Sequence, residues 1–258
     1  MKTSLWFLGI IIVLVAGFYA LNTFIYNEKQ ADPMTMHNAE VTPIEHASGI
    51  LAWAGATLYF DPVGASTTYA GQPTPDLIVL TDIHGDHLST STLEAIAEEG
   101  TVLVAPQAVY EQLPATLASS TQVLQNGESA QVAGFSITAV PMYNLPDAEN
   151  ANFHTPGRGN GYLIERDGYR VYLAGDTAGT TEMRALTDID MAFVPMNLPY
   201  TMGVEEAAEA VLAFAPRRVY PYHYRGPAGL ADTVRFKELV DAGGKDIEVM
   251  LLDWYPAD

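Results

Sequence analysis

The chain has 258 residues, 48% of them hydrophobic, with 31 acidic against 12 basic side chains and a formal net charge of −19. That length suits one large domain or at most two small ones, and the composition is too apolar for disorder over most of its course. The charge disfavours nucleic acid as a partner, and the absence of cysteine excludes disulfides, thiolate zinc sites and a cysteine nucleophile.

Leu5 to Leu21 carries no charged or strongly polar residue, and the run continues through Asn22-Thr23 to Phe24-Ile25-Tyr26. About 20 helical residues cross a bilayer core, so residues 1–26 predict one N-terminal transmembrane helix. Lys2 precedes it and an acidic domain follows, which by the positive-inside rule leaves the N-terminus in the cytoplasm. The expected localisation is therefore membrane-anchored, with the domain periplasmic or extracellular. Cleavage near Val15-Ala16-Gly17 would give a secreted form, but would leave Phe18-Tyr19-Ala20-Leu21 as an apolar mature end. Residues 27–43 read as a linker and residues 44–258 as the main domain.

Within that domain, Ile50 to Trp53 and Thr57 to Phe60 read as a hairpin split by Gly55 and ending at Asp61-Pro62. Leu77 to Leu80 is a buried strand by its continuous apolar character. Ser89-Thr90-Ser91-Thr92 offers N-caps to a helix through Leu93, Ile96 and Ala97, closed by Gly100. Val102 to Val104 predicts a strand, Gln107 to Leu113 a short helix, and Phe135 to Val140 an alternating strand. Tyr162 to Glu165 and Arg170 to Leu173 flank the turn signal Asp167-Gly168. Ala192 to Pro195 is another buried strand, Val204 to Phe214 a helix, Arg218 to Tyr220 a strand, Val234 to Val240 a helix and Ile247 to Leu252 a last strand. Strands outnumber helices, with helices between strand pairs in both halves. That pattern suits an α+β fold of two packed sheets with helices outside.

The segment Thr81-Asp82-Ile83-His84-Gly85-Asp86-His87 follows the strand Leu77–Leu80 directly. Carboxylates and imidazoles this close together crowd one another unless something positive sits between them, and nitrogen and oxygen ligands at this density suit a divalent transition metal. Further candidate ligands fall at His154, at Asp176 in the turn Gly175-Asp176-Thr177, and at His223 after Tyr220-Pro221-Tyr222.

With these residues in that order the chain resembles the metallo-β-lactamase superfamily of hydrolases, whose usual first motif is His-x-His-x-Asp-His, followed by a lone His, a lone Asp and a final His. His46-Ala47-Ser48, Phe60-Asp61-Pro62, Met142-Tyr143-Asn144, Gly159-Asn160-Gly161-Tyr162 and Tyr222-His223-Tyr224 make it similar to the branch of L-ascorbate-6-phosphate lactonase and N-acylphosphatidylethanolamine phospholipase D. The resemblance covers about Ile44 to Tyr224. It implies a four-layer αββα sandwich and two divalent ions, zinc first and manganese or iron as alternatives. Asp82, His84 and His154 would hold one ion, and Asp86, His87 and His223 the other, with Asp176 bridging. Asp82 stands where the family usually has His, which should tilt its site toward harder ions.

The chemistry expected is attack by a metal-bound hydroxide on an ester, lactone or phosphodiester, with Asp86 as proton shuttle. The alternative is a non-catalytic metal-binding or scaffold protein of the same fold. Thr81, Asp61 and Asn144 are candidates for orienting ligands by hydrogen bonds, and His46 is expected near the site without ligating. Arg158 and Arg225 are candidates for greeting an anionic substrate group. The expected partners are a small-molecule or lipid-derived substrate and, through the N-terminal helix, the membrane; oligomeric state is not readable.

Overall fold

The computed structural model describes residues 39–256, so the apolar run Leu5–Tyr26 and most of the expected linker lie outside the described residues. Among the described residues no helix is long and apolar enough to cross a membrane. The longest, Val204–Phe214, has 11 residues, well short of the roughly 20 a bilayer core requires. The membrane-anchored localisation is corrected on this ground. The linker also ends earlier than expected, because Glu40–Glu45 is the first strand, β1.

The first sheet has the order β1-β2-β3-β4-β5-β6. It continues with β2 (Ser48–Trp53), β3 (Ala56–Phe60), β4 (Leu77–Val79), β5 (Val102–Ala105) and β6 (Thr121–Val123). β1, β2 and β3 run antiparallel, and β3 to β6 run parallel. The second sheet contains β7 (Ser129–Val132), β8 (Phe135–Met142), β9 (Gly159–Arg166), β10 (Tyr169–Leu173), β11 (Met191–Pro195) and β12 (Arg218–Tyr222). A small hairpin, β13 (Arg225–Gly226) and β14 (Gly229–Leu230), follows, and β15 (Glu248–Val249) returns to the second sheet beside β12. β7 to β10 are antiparallel, and β10, β11, β12 and β15 are parallel. Both sheets thus repeat one scheme, a meander followed by parallel crossovers.

Side chains alternate across a strand, and the alternation sorts the core. Leu58, Phe60, Leu77 and Val79 point to the cluster between the sheets, where they meet Ile137, Ile164, Val171 and Phe193. Phe60 lies 5.1 Å from Phe193 and Trp53 lies 5.0 Å from Phe135, ring centre to ring centre. Tyr59, Ile78 and Leu80 point the other way, under α1 (Thr90–Ile96), α2 (Gln107–Tyr110) and α3 (Ala115–Ala118), against Leu93, Val109 and Leu117. On the far side of the second sheet lie α4 (Thr181–Arg184), α5 (Val204–Phe214) and α6 (Thr233–Ala242), contributing Met183, Val211, Phe214 and Phe236 to the buried core. Two mixed sheets face to face with helices outside make the expected αββα sandwich.

The parallel strands prepare the site. Asp61 follows β3, Thr81 to His87 follow β4, Asp176 follows β10, Asn197 follows β11 and His223 follows β12. Open α/β sheets bind ligands beyond the carboxyl ends of their strands.

Candidate metal centre

His87 is the best-anchored side chain of the centre. It is fully buried, and its Nδ1 lies 2.8 Å from Asp61 Oδ2 and 3.0 Å from Thr81 Oγ1. Asp61 in turn accepts the Thr81 backbone N–H at 2.7 Å and the Thr81 hydroxyl. A carboxylate behind Nδ1 keeps the proton on that nitrogen and turns Nε2 forward. Nε2 stands 3.4 Å from Asp176 Oδ2 and 4.0 Å from Asp86 Oδ1. Burial would lower the pKa of His87, but the carboxylates of Asp176 and Asp61 prevail and hold it well above the ordinary imidazole value. Burial pushes Asp61 itself up, against the pull of His87 and Thr81.

His223 completes this half, with Nε2 3.2 Å from Asp86 Oδ2 and 3.2 Å from Asn197 Nδ2. Asp86 is the more exposed carboxylate, its side chain 42% accessible against 4% for Asp176. Burial works against its ionised form, yet the hydrogen bond from His223 and the charges of His87 and His223 pull its pKa well below the ordinary carboxylate range.

In the other half, His84 Nδ1 lies 2.8 Å from Asp82 Oδ2, and His154 Nε2 lies 3.8 Å from the same oxygen. His154 is oriented from behind by the Tyr200 carbonyl, 3.2 Å from Nδ1, and by Asn144 Nδ2 at 3.3 Å. Asn144 also donates to the carbonyls of Asn150 and Tyr200. Asp82 is fully buried. Burial would raise its pKa, but the His84 hydrogen bond and the charges of His87, His84 and Arg158 lower it.

Asp176 joins the halves. Its Oδ2 is 3.2 Å from His154 Nε2 and 3.4 Å from His87 Nε2, while its Oδ1 is 3.5 Å from His223 Nε2. Gly175 aims it: its φ is +65°, and a Cβ there would come within 2.4 Å of the Met142 sulfur. Only glycine accepts both the left-handed backbone and the close approach. Burial opposes ionisation of Asp176, but the surrounding histidines hold its pKa well below the ordinary value.

The seven candidate ligands therefore converge, and their ligand atoms fall into two groups, Asp82–His84–His154 and Asp86–His87–His223, each within 4.8 Å. His87 Nε2, His154 Nε2 and Asp176 Oδ1 are buried without a hydrogen-bond partner. Buried polar atoms are rarely left so; the two imidazole nitrogens face one oxygen of Asp176 and His223 faces the other, an arrangement that a cation would resolve. The donor set of imidazole nitrogens and carboxylate oxygens fits zinc, manganese or iron.

The other predicted residues are placed as follows. Thr81, Asp61 and Asn144 orient ligands. His46 does not ligate: its carbonyl accepts the His223 backbone N–H, and its ring stands edge-on to His223 and Tyr255. Arg158 is committed to Asp82, donating from Nε at 3.1 Å and Nη2 at 2.9 Å. Arg225 stacks over Tyr255 at 4.1 Å. The fork of Arg158 is therefore taken, while Arg225 is exposed beside its tyrosine. Sequence reasoning missed Asn197, whose Nδ2 meets the centre-facing Nε2 of His223, the Tyr200 carbonyl behind His154, and Tyr222, whose hydroxyl accepts the Gly175 N–H at 3.0 Å. Asn197 stands just past a buried strand, the same position that marked the ligands.

Known proteins resemble this chain in sequence and fold. The model of the beta-lactamase superfamily domain matches residues 40–223. A UPF0173 metal-dependent hydrolase of Thermococcus onnurineus is 35% identical over 182 residues, 69% of this chain and 78% of that protein. A second, from Methanopyrus kandleri, is 28% identical over 222 residues, 83% of this chain and 96% of its own length. Almost nothing of that relative lies outside the match. Among solved structures, a Parabacteroides distasonis protein assigned as a metal-dependent hydrolase superposes with a TM-score of 0.72 at 34% identity, covering 82% of this chain and 91% of that one. The chain belongs to the beta-lactamase superfamily domain family and is a metal-dependent hydrolase.

Proposed function

We propose that the centre holds two divalent ions and hydrolyses a neutral ester or lactone flanked by an apolar group. The observation that carries the reading is the convergence of His87 Nε2, His154 Nε2 and Asp176 Oδ1, all buried and unpartnered. Ions bound there supply a water of lowered pKa and polarise the scissile carbonyl. The chain's own residues do the rest. Asp61 and the Tyr200 carbonyl fix the tautomers of His87 and His154, so that Nε2 of each faces the centre. Asp86 is partly exposed and stands beside His87 and His223, which places it to carry a proton from the attacking water to the leaving group.

Two features favour an ester or lactone over a phosphodiester. The fork of Arg158, beside the His154 loop, is taken by Asp82. The residues beside the ligand-bearing segments are apolar and exposed: Leu145 next to Asn144, Phe153 next to His154, and Leu198 next to Asn197, at 43%, 40% and 57%. Such a rim suits an acyl or aryl group better than the anionic phosphate of a phosphodiester.

The test is hydrolysis by the full chain of chromogenic esters of increasing acyl length, lactones and a phosphodiester, with chelator and Asp86→Ala as controls. Faster turnover of the longer esters, lost with chelator, is the expected result. Preference for the phosphodiester would overturn the substrate reading. Activity that survives both chelator and Asp86→Ala would overturn the mechanism.

A further inference from the structure

Asp82 is where the chain departs from the histidine of the motif it resembles, and the departure comes with a partner. Arg158 Nε donates to Asp82 Oδ1 at 3.1 Å and its Nη2 to Oδ2 at 2.9 Å. The same Nη2 donates at 2.6 Å to the Phe153 carbonyl, one residue before His154. One guanidinium thus ties the departing ligand to the loop of its neighbour. The arginine is only 19% accessible and the aspartate wholly buried.

The electrostatics behind the two halves are opposite. Behind His87 stands a carboxylate, which strengthens the imidazole as a donor. Behind Asp82 stands a permanently charged guanidinium, which draws electron density from the carboxylate and repels a dication held by it. A carboxylate offers about four lone-pair sites. The parallel fork of Arg158 takes the two that face each other, and Oδ2 keeps one directed at His84 and His154. Asp82 and Arg158 together carry no net charge, as a neutral histidine would, but they offer a weaker donor than either a free carboxylate or a supported imidazole.

We infer that Arg158 is a positioning residue that makes the centre unequal: the Asp82–His84–His154 half binds its ion weakly and exchangeably, and the Asp86–His87–His223 half binds tightly. The inference rests on the metal-centre reading above and deepens it. Arg158 also offsets the charge of buried, metal-free Asp82, whose other close partner is His84 at 2.8 Å, and so lowers the cost of burying it. The pairing explains how the substitution at position 82 is accommodated without loss of the fold.

The experiment is metal binding, not turnover. The full chain, stripped with chelator, is titrated calorimetrically with zinc and separately with manganese, and the ions retained through desalting are counted by elemental analysis. Two classes separated by at least tenfold are expected for the wild type, with one ion retained. Arg158→Gln should tighten the weaker class at least tenfold and retain a second ion, and Arg158→Lys should fall between. Should Arg158→Gln fail to fold by circular dichroism, the double variant Asp82→His with Arg158→Gln, which leaves no buried carboxylate unpaired, decides: it should bind two ions with closely matched affinity. Two equal classes in the wild type, an unchanged or weakened second class in Arg158→Gln, or unequal classes in the double variant would each overturn the asymmetry alone. No saturable binding in the wild type would instead overturn the metal-centre reading itself.

Discussion

The two halves of the centre look alike from the front and differ from behind. Each presents one carboxylate and two imidazoles within 4.8 Å. His87 is backed by Asp61 at 2.8 Å, whereas Asp82 is backed by Arg158 at 2.9 Å. The lesson is that a ligand set alone does not define a metal site. The charge one layer out decides how strongly each ligand can donate, and here that charge changes sign between halves that share Asp176.

The comparison breaks most visibly at Asp86. Asp86→Ala should lower kcat for the preferred ester about 10²- to 10⁴-fold, the usual weight of a proton-transfer residue, measured by steady-state kinetics at saturating metal. Metal counting on the same variant should show the Asp82 half still able to take an ion. If both halves empty together, they act as one cooperative site and the distinction fails.

Next in size is Asp61→Asn. Removing the carboxylate behind His87 should weaken the tight class about 10- to 100-fold. Because Asp61 and His87 are both fully buried, breaking their pairing should also cost the metal-free chain about 3 kcal/mol, read by urea denaturation. The tight class of Asp61→Asn should then approach the weak class of the wild type. Asp61→Asn and Arg158→Gln thus push the two halves toward equality from opposite sides.

Much of this was legible in the sequence, and what was hidden has physical reasons. The candidate ligands stood out because carboxylates and imidazoles crowded after an apolar strand suit a cation, and the fold brings them within reach of one another. The hairpin Arg166–Tyr169 closed around Asp167-Gly168 as its turn chemistry required, and the helix Val204–Phe214 kept its expected bounds, with Glu205 and Glu206 in its first turn. β1 was read as linker because Pro43 and its flanking glutamates mask an edge strand, where charge and proline are tolerated. The last strand shrank from Ile247–Leu252 to Glu248–Val249, since it pairs on one side only and Leu251 turns outward, 41% exposed. The Asp82–Arg158 pair spans 76 positions. No periodicity connects residues that far apart; only the folded sheets bring them together. The apolar N-terminal run suggested a membrane, and that localisation did not stand.

A smaller effect follows from protonation. Burial disfavours charge on His87, but Asp176 and Asp61 raise its pKa well above the ordinary imidazole value, which favours the charged imidazole in the metal-free chain. Its contribution to metal-free stability is full below about pH 6.5 and is lost as pH rises through the raised value. A metal ligand must be neutral, so filling this half expels the proton. Apparent affinity of the tight class should therefore fall about tenfold for each pH unit below that raised pKa. Titrations in two buffers of different ionisation heat should report about one proton released. A pH-independent affinity would mean that His87 is already neutral, and the front-to-back polarity assigned to it would be wrong.

The smallest effect tests whether the unpartnered atoms of the centre are special. Tyr172 lies on β10, the strand that delivers Asp176, and its hydroxyl is also buried without a partner. It faces the other way, edge-on to Phe214 at 5.9 Å on the helical side of the sheet, where burial raises its pKa. A lone buried hydroxyl is a cost with no return, so Tyr172→Phe should leave stability unchanged or raise it by about 0.5–1 kcal/mol, and should leave both metal classes untouched. Removing the orphan at His154 by His154→Phe should do the opposite, abolishing the weak class, because that nitrogen shares its empty side with Asp176 and Asp82. Equal indifference to both substitutions would mean that the atoms gathered around Asp176 were unsatisfied by accident, and with that the case for a cation between them would be lost.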